Sequence, residues 1–220
     1  PWYVSFGQLL RKQPLGAAGG LIVLLMLLAT VFANVLSPYD PEAASFEHML
    51  MPPNADFWFG TDAFGRDILT RIIYGARTAL FVGFTAAFVG ATAGLVLGVA
   101  SAYFGGLFDL IFQRVVDVIM AFPLIVLALA VVATLGASTT NVIIAITIPF
   151  IPQCARVVRS SALAIREIPY IDAARALGFG HARIILRHMV PNVMAPYLIM
   201  LTTFVGHAIL LEASLSYLGL

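Results

Sequence analysis

Four histidines, one cysteine and one lysine are the side chains of this 220-residue sequence best suited to acid–base, thiol or phosphate chemistry. None lies in a pattern that performs it. His48, His181, His188 and His207 are scattered, with no H-E-x-x-H. The single Cys154 allows neither an intrachain disulfide nor a paired-cysteine metal site. Ser214 follows His207 by seven residues, about two helical turns, which is too far for direct proton transfer. A phosphate-binding P-loop needs G-x-x-x-x-G-K-[ST], and the only lysine is Lys12, in "RKQP". If ATP drives this protein, another chain must bind it. What remains is a basic stretch, "DAARALGFGHARIILRHMVPN", from Asp172 to Asn192.

The elements around that stretch are built for lipid. Hydrophobic residues make up 61% of the chain, charged residues 10%, and mean hydropathy is +0.98. A soluble domain carries charge on about a quarter of its residues, so this is a membrane protein. About 20 apolar residues cross a bilayer. Five spans are predicted: Ala17–Leu36, Thr78–Tyr103, Val118–Leu135, a short one at Asn141–Ala155, and Val190–Leu211. The first reads as a retained helix, since a signal peptide has a shorter apolar core. The sequence begins at Pro1 and ends at Leu220 after an apolar run; both ends read as trimmed, and a sixth helix is expected beyond the C-terminus. Three segments follow: 1–36, an N-terminal stretch and first span; 37–77, an outer loop; and 78–220, a core with a polar loop at 156–190.

Lysine and arginine collect on the cytoplasmic side of short loops. Arg11 and Lys12 precede the first span, Arg114 lies between the second and third, and Arg156, Arg159, Arg166, Arg175, Arg183 and Arg187 lie between the fourth and fifth. Five crossings put all of these on one side. The N-terminus is therefore expected inside, and the 37–77 loop, with Asp40, Glu42, Glu47, Asp56, Asp62 and Asp67, outside. In that loop Thr61 or Asp62 can cap a separate interfacial helix whose apolar stripe is Ile68, Leu69, Ile72, Ile73 and Ala76, with Asp67 and Arg71 spaced to pair.

Gly90, Gly94 and Gly98 recur every four residues and put a close-packing face on the second span. Pro123, Pro149, Pro152 and Pro196 tend to kink their helices. Residues 17–36, 78–107 and 118–155 hold no ionisable acid, base or histidine, and only His207 is deep in the last span. His207 is the one candidate for a translocation path. Gradient-driven transporters generally carry ionisable groups inside the membrane, so a proton-coupled transporter or channel is the disfavoured alternative. A structural membrane scaffold is another; it would tolerate changes in the polar loop.

Within that loop Pro169 suits a first helical turn, and Tyr170, Ala173, Ala174 and Leu177 fall on one face. Asp172 and Arg175 point elsewhere. Gly178 stands where a left-handed C-terminal cap wants glycine. A second short helix is predicted from His181 to Met189. Basic amphipathic helices can lie on anionic lipid, but Ala173 and Ala174 offer little anchoring area. Small residues favour insertion into a protein groove.

Asp172-Ala173-Ala174, then Gly178, then Pro191 resembles the EAA loop of ABC importer permeases, with Asp172 in place of Glu, His188 of Ile and Val190 of Leu. "FGTDAFGRDILTRIIYGARTAL", "YFGGLFDLIFQRVVD" and "EASLSYLGL" are similar to the C-type permeases of dipeptide, oligopeptide and nickel importers. "PFIPQCARVVR" departs from the pattern by lacking a tryptophan near Pro152.

The resemblance implies an all-α polytopic membrane bundle, the type I importer permease fold, in the cytoplasmic membrane. It implies a homologous second permease, two ATP-binding subunits carrying ATP and Mg, an extracytoplasmic solute-binding protein, and lipid around the bundle. It implies no nucleic acid, and no enzymatic activity or cofactor on this chain. The EAA loop would be the coupling helix seated in an ATPase groove. Tyr170, Asp172, Ala173, Ala174, Leu177 and Gly178 would be contact and hinge positions, and Arg175 and Arg183 rim partners. Peptide is the expected cargo. Nickel chelates, glutathione-like and haem-like compounds stay open.

Overall fold

A computed structural model describes residues 13–37 and 39–219; Arg11, Lys12 and Leu220 lie outside the described residues. The chain divides into two compact units, Pro1–Leu80 and Phe81–Leu220, each taken here by itself.

The first unit opens with helix α1, Pro14–Val31, with proline in its first turn, where a missing N–H costs nothing. A short helix α2, Ala33–Leu36, follows, then a 3-10 turn at Phe46–His48. The outer loop is ordered by short polar residues. Asp62 Oδ1 accepts the backbone N–H of Phe64 (2.8 Å) and of Arg66 (3.0 Å), and its Oδ2 takes Arg66 Nε at 2.8 Å. Gly65 has φ +73°, and a Cβ there would lie 1.8 Å from the Ser45 carbonyl oxygen, so only glycine fits this turn.

Helix α3, Ile68–Phe104, has 37 residues and is about 55 Å long. Its start corrects three expectations. The stripe from Ile68 to Ala76 belongs to the span itself and is no separate interfacial helix. The cap is Asp67: its Oδ2 accepts the Thr70 N–H at 2.8 Å and the Thr70 hydroxyl at 2.5 Å. Arg71 approaches Asp62 at 3.7 Å instead of pairing with Asp67. A polar residue near the end of a span leaves the backbone ladder intact, so the helix continues through Arg71 and Arg77.

In the second unit α3 ends at Gly105 and Gly106, both at positive φ. Helix α4, Gly106–Met120, and helix α5, Leu124–Leu135, meet at an 88° bend. The predicted span Val118–Leu135 is thus broken, next to the proline expected to kink it. Pro123 cannot donate into the α4 ladder, and residues 121–123 take up the turn. Helix α6, Thr139–Arg166, is longer than the expected Asn141–Ala155. Ser138 caps it by accepting the Asn141 N–H at 3.2 Å. Helix α7 covers Pro169–Ala176. Helix α8, His181–Ile184, runs through a π turn (Ile185–Met189) and a 3-10 turn (Val190–Val193) into helix α9, Met194–Tyr217. The second short helix is therefore the foot of the last span. The break is chemical: Pro191 has no N–H for the Arg187 carbonyl, so the ladder changes pitch.

Among the described residues, four helical runs are long and apolar enough to cross a membrane: α1, α3, α6 and the His181–Tyr217 run. The bent α4–α5 pair, taken as one span, makes a fifth. The result is an all-α, polytopic membrane bundle.

Helix α6 lies at the heart of the second unit. Phe150 is fully buried and stacks on Phe204 of α9, ring centroids 4.1 Å apart. Gly90, Gly94 and Gly98 of α3 face α6. A Cβ would come within 2.8 Å of Phe150 Cβ at Gly90, 2.6 Å of Cys154 Cβ at Gly94, and 2.6 Å of the Ala155 carbonyl oxygen at Gly98. Bare backbone at these turns is what lets the two helices touch.

Candidate functional site

Helix α7 is short and amphipathic, and one of its faces is packed. Ile171 (0% exposed) and Ala174 (5%) turn into the bundle, while Tyr170, Ala173 and Leu177 (74%) face outward. Spacing alone puts Ala174 on one face with Tyr170, Ala173 and Leu177; the structure turns it inward with Ile171. Asp172 and Arg175, one turn apart, pair at 3.0 Å, but both are exposed, and such surface pairs contribute little.

The helix stops at Gly178. The Gly178 N–H donates to the Arg175 carbonyl (2.9 Å) and the Phe179 N–H to the Ala174 carbonyl (3.1 Å). This double bond pattern is a Schellman cap, which requires the left-handed residue that Gly178 supplies with φ +76°.

Aromatic residues moor the segment. The Tyr103 hydroxyl, in the last turn of α3, hydrogen-bonds His181 Nδ1 at 2.7 Å, and the Arg175 guanidinium lies over the Tyr103 ring at 5.6 Å. Arg183 covers the Phe179 ring at 4.0 Å, and Phe179 stacks on His188. The Tyr170 hydroxyl donates to the His188 carbonyl at 3.3 Å, and Asn192 Nδ2 donates to the same carbonyl at 2.6 Å. The π and 3-10 turns leave that carbonyl to side chains.

A ring of ion pairs lies beside the mooring. Asp109 of α4 takes Arg159 of α6 through both oxygens, at 2.6 Å and 2.5 Å, and also accepts the Ser101 hydroxyl. Asp117 takes Arg156 at 2.6 Å. The two contacts are about 12 Å apart along α4 but only about 4.5 Å apart along α6, so α4 crosses α6 steeply. Arg166 Nη1 donates to the Ala102 carbonyl at 2.9 Å, closing the end of α3. A Cβ on Gly105 would meet that same Nη1 at 2.9 Å.

A second feature is a cavity of about 350 Å³ lined by Leu124, Gln153, His207, Leu210, Leu211 and Ser214. A smaller one of about 60 Å³ adjoins it, sharing Leu124 and Gln153. The larger one is an open surface groove, and His207 is exposed on its wall. No group of metal-ligating side chains occurs among the described residues.

Sequence reasoning found α7 and its stop but missed Tyr103, Ile171, Asp109 and Gln153. Ile171 and Ala174 at i, i+3 were a usable signal. The Asp109–Arg159 pair, 50 residues apart, left none.

Comparison with known proteins supplies the context. Residues 90–220 match the family described as binding-protein-dependent transport system inner membrane component. Residues 2–53 match the N-terminal TM domain of oligopeptide transport permease C. A protein of Brucella suis biovar 1, named as a peptide transport system permease protein, is 47% identical over 220 residues, all of this chain and 74% of that protein. The dipeptide transport system permease protein DppC of Alkalihalophilus pseudofirmus is 42% identical over 220 residues, all of this chain and 72% of that protein. The glutathione transport system permease protein GsiD of Escherichia coli O6:K15:H31 is 38% identical over 221 residues, again all of this chain and 73% of that protein. With a bundle of apolar spans and matches along its whole length, this chain belongs to the ABC importer permeases of the dipeptide and oligopeptide family.

Proposed function

We propose that this chain carries short peptides across the cytoplasmic membrane, with its N-terminus and α7 in the cytosol, and that α7 is the coupling helix seated in an ATP-binding partner. The observation that carries this reading is the division of α7 into two faces. Ile171 and Ala174 anchor it to the bundle, and Tyr170, Ala173 and Leu177 are left outward on a helix stopped by Gly178. Such a helix transmits a push. Its base is packed, its end is fixed by a left-handed cap, and Tyr103 ties it to α3 through both Arg175 and His181.

ATP and Mg would be bound by two partner subunits, because the only lysine of this chain, Lys12, lies in no P-loop. Closure of those subunits would draw the coupling helices together and reorient the spans, with a second permease completing the path and a solute-binding protein delivering cargo outside. Arginines concentrated at 156–187 favour placing that side in the cytosol. The names of the relatives support a peptide-type cargo, glutathione among them.

The test is uptake of a labelled tripeptide into proteoliposomes holding the whole complex, with ion gradients clamped. Uptake should stop when ATP is withdrawn. Uptake that follows an imposed ion gradient without ATP would contradict the reading.

A further inference from the structure

Gln153 occupies an unusual place. It is the side chain, with Leu124, that both cavities of the second unit share. In the smaller cavity its neighbours are Ile119, Met120, Phe122, Leu124 and Pro149, so its carboxamide is the one polar side chain in that lining. In the larger cavity the other polar side chains are His207 and Ser214. Ser214 is already engaged, its hydroxyl donating to the Leu210 carbonyl at 2.7 Å. Among the described residues, no carboxylate, guanidinium or ammonium lines either space.

Four helices line this groove, with Ile119 and Met120 closing α4. Pro149 and Gln153 are one turn apart on α6. His207, Leu210, Leu211 and Ser214 share a face of α9, and Leu124 begins α5. The neighbouring face of α6, about 100° round the helix, is consumed by packing, with Phe150 and Cys154 against the glycines of α3. Gln153 itself is only half-buried. A carboxamide inside a membrane span is costly without hydrogen-bonding partners, and a passing solute can supply them.

We infer that Gln153 reads the amide groups of the cargo, making it a specificity-determining residue for the transport step. This rests on the peptide reading above. A carboxamide offers a donor and an acceptor side by side, the complement of a peptide N–H and C=O. A groove without ionised side chains gives no preference among cargo side chains, so recognition falls on the backbone. The contact is weak, as passage demands: one neutral hydrogen bond changes a rate or affinity by about threefold to tenfold.

The experiment uses the whole complex in proteoliposomes, with trialanine and its depsipeptide analogue, in which one amide N–H is replaced by an ester oxygen. The same binding protein serves every arm, so its own preference cancels when variants are compared. The wild type should favour trialanine. Gln153→Leu should lower trialanine uptake by about threefold to tenfold and erase the amide-over-ester preference, with binding-protein-stimulated ATP hydrolysis unchanged. Gln153→Asn should keep part of the preference. A preference retained in full by Gln153→Leu overturns the inference and leaves the peptide reading standing. Loss of ATP hydrolysis together with dissociation of the second permease also overturns it, since Gln153 would then be an interface residue. Failure of the wild type to take up trialanine removes the peptide reading and this inference with it.

Discussion

Tyr103 and His181 are 78 residues apart in the chain, and the Tyr103 hydroxyl meets His181 Nδ1 at 2.7 Å. The bond joins the last turn of α3 to the first residue of α8, on the far side of α7. The same tyrosine ring lies under Arg175 of α7. One side chain thus touches the segment on both sides of the Gly178 stop.

Tyr103→Phe keeps the ring and removes the hydroxyl. The expected loss is about 1 kcal/mol, that of one partly buried hydrogen bond. It should appear as a lower melting midpoint in detergent and as ATP hydrolysis less tightly tied to uptake. Uptake per ATP equal to wild type would show that the bond does not hold α7 in register.

The Asp109–Arg159 pair should behave as a coupled unit. Its side chains are 19% and 25% exposed, too sheltered for full screening. Asp109→Ala leaves a guanidinium without its partner and should cost about 2 kcal/mol. The double variant Asp109→Ala/Arg159→Ala should cost less than the two single costs added, because no charge is stranded. Strict additivity would mean the two residues act independently, and the clamp between α4 and α6 would be lost from the account.

The outer loop should weaken in acid. Burial raises the Asp62 carboxyl, but the backbone N–H groups of Arg66 and Phe64 and the Arg66 guanidinium more than offset it, holding its pKa below the ordinary 3.8. A depressed folded-state pKa stabilises the fold at pH above the unfolded value, and that contribution is lost as pH falls through the folded value. Proteolysis of the loop before Ile68 should therefore accelerate below about pH 4. Asp62→Asn should cleave faster at neutral pH and show a flatter acid response.

How much of this was readable beforehand depended on range. The stop of α7 is local chemistry: a glycine after Leu177 predicts a left-handed cap, and Gly178 adopts φ +76°. The glycine repeat in α3 carries its meaning in its spacing as well. Ala173 and Ala174 are equivalent as residues, and only the i, i+3 partnership of Ala174 with Ile171 marks which of them faces inward. Arg71 and Arg77 suggested a loop, but a helix entering a membrane tolerates charge in its outer turns. The 88° bend at Pro123 has a visible cause, whereas no local pattern announces its angle.

The central claim is that the outward face of α7 seats in an ATP-binding subunit, and a photoreactive amino acid at Leu177 tests it most directly. In the whole complex, under illumination, Leu177 should crosslink to the ATP-binding subunit, and the yield should change when ATP is bound. The same probe at Tyr217, 91% exposed at the end of α9, should give no such product. Crosslinking of Leu177 to lipid alone, with none to the ATP-binding subunit in either nucleotide state, would contradict the account.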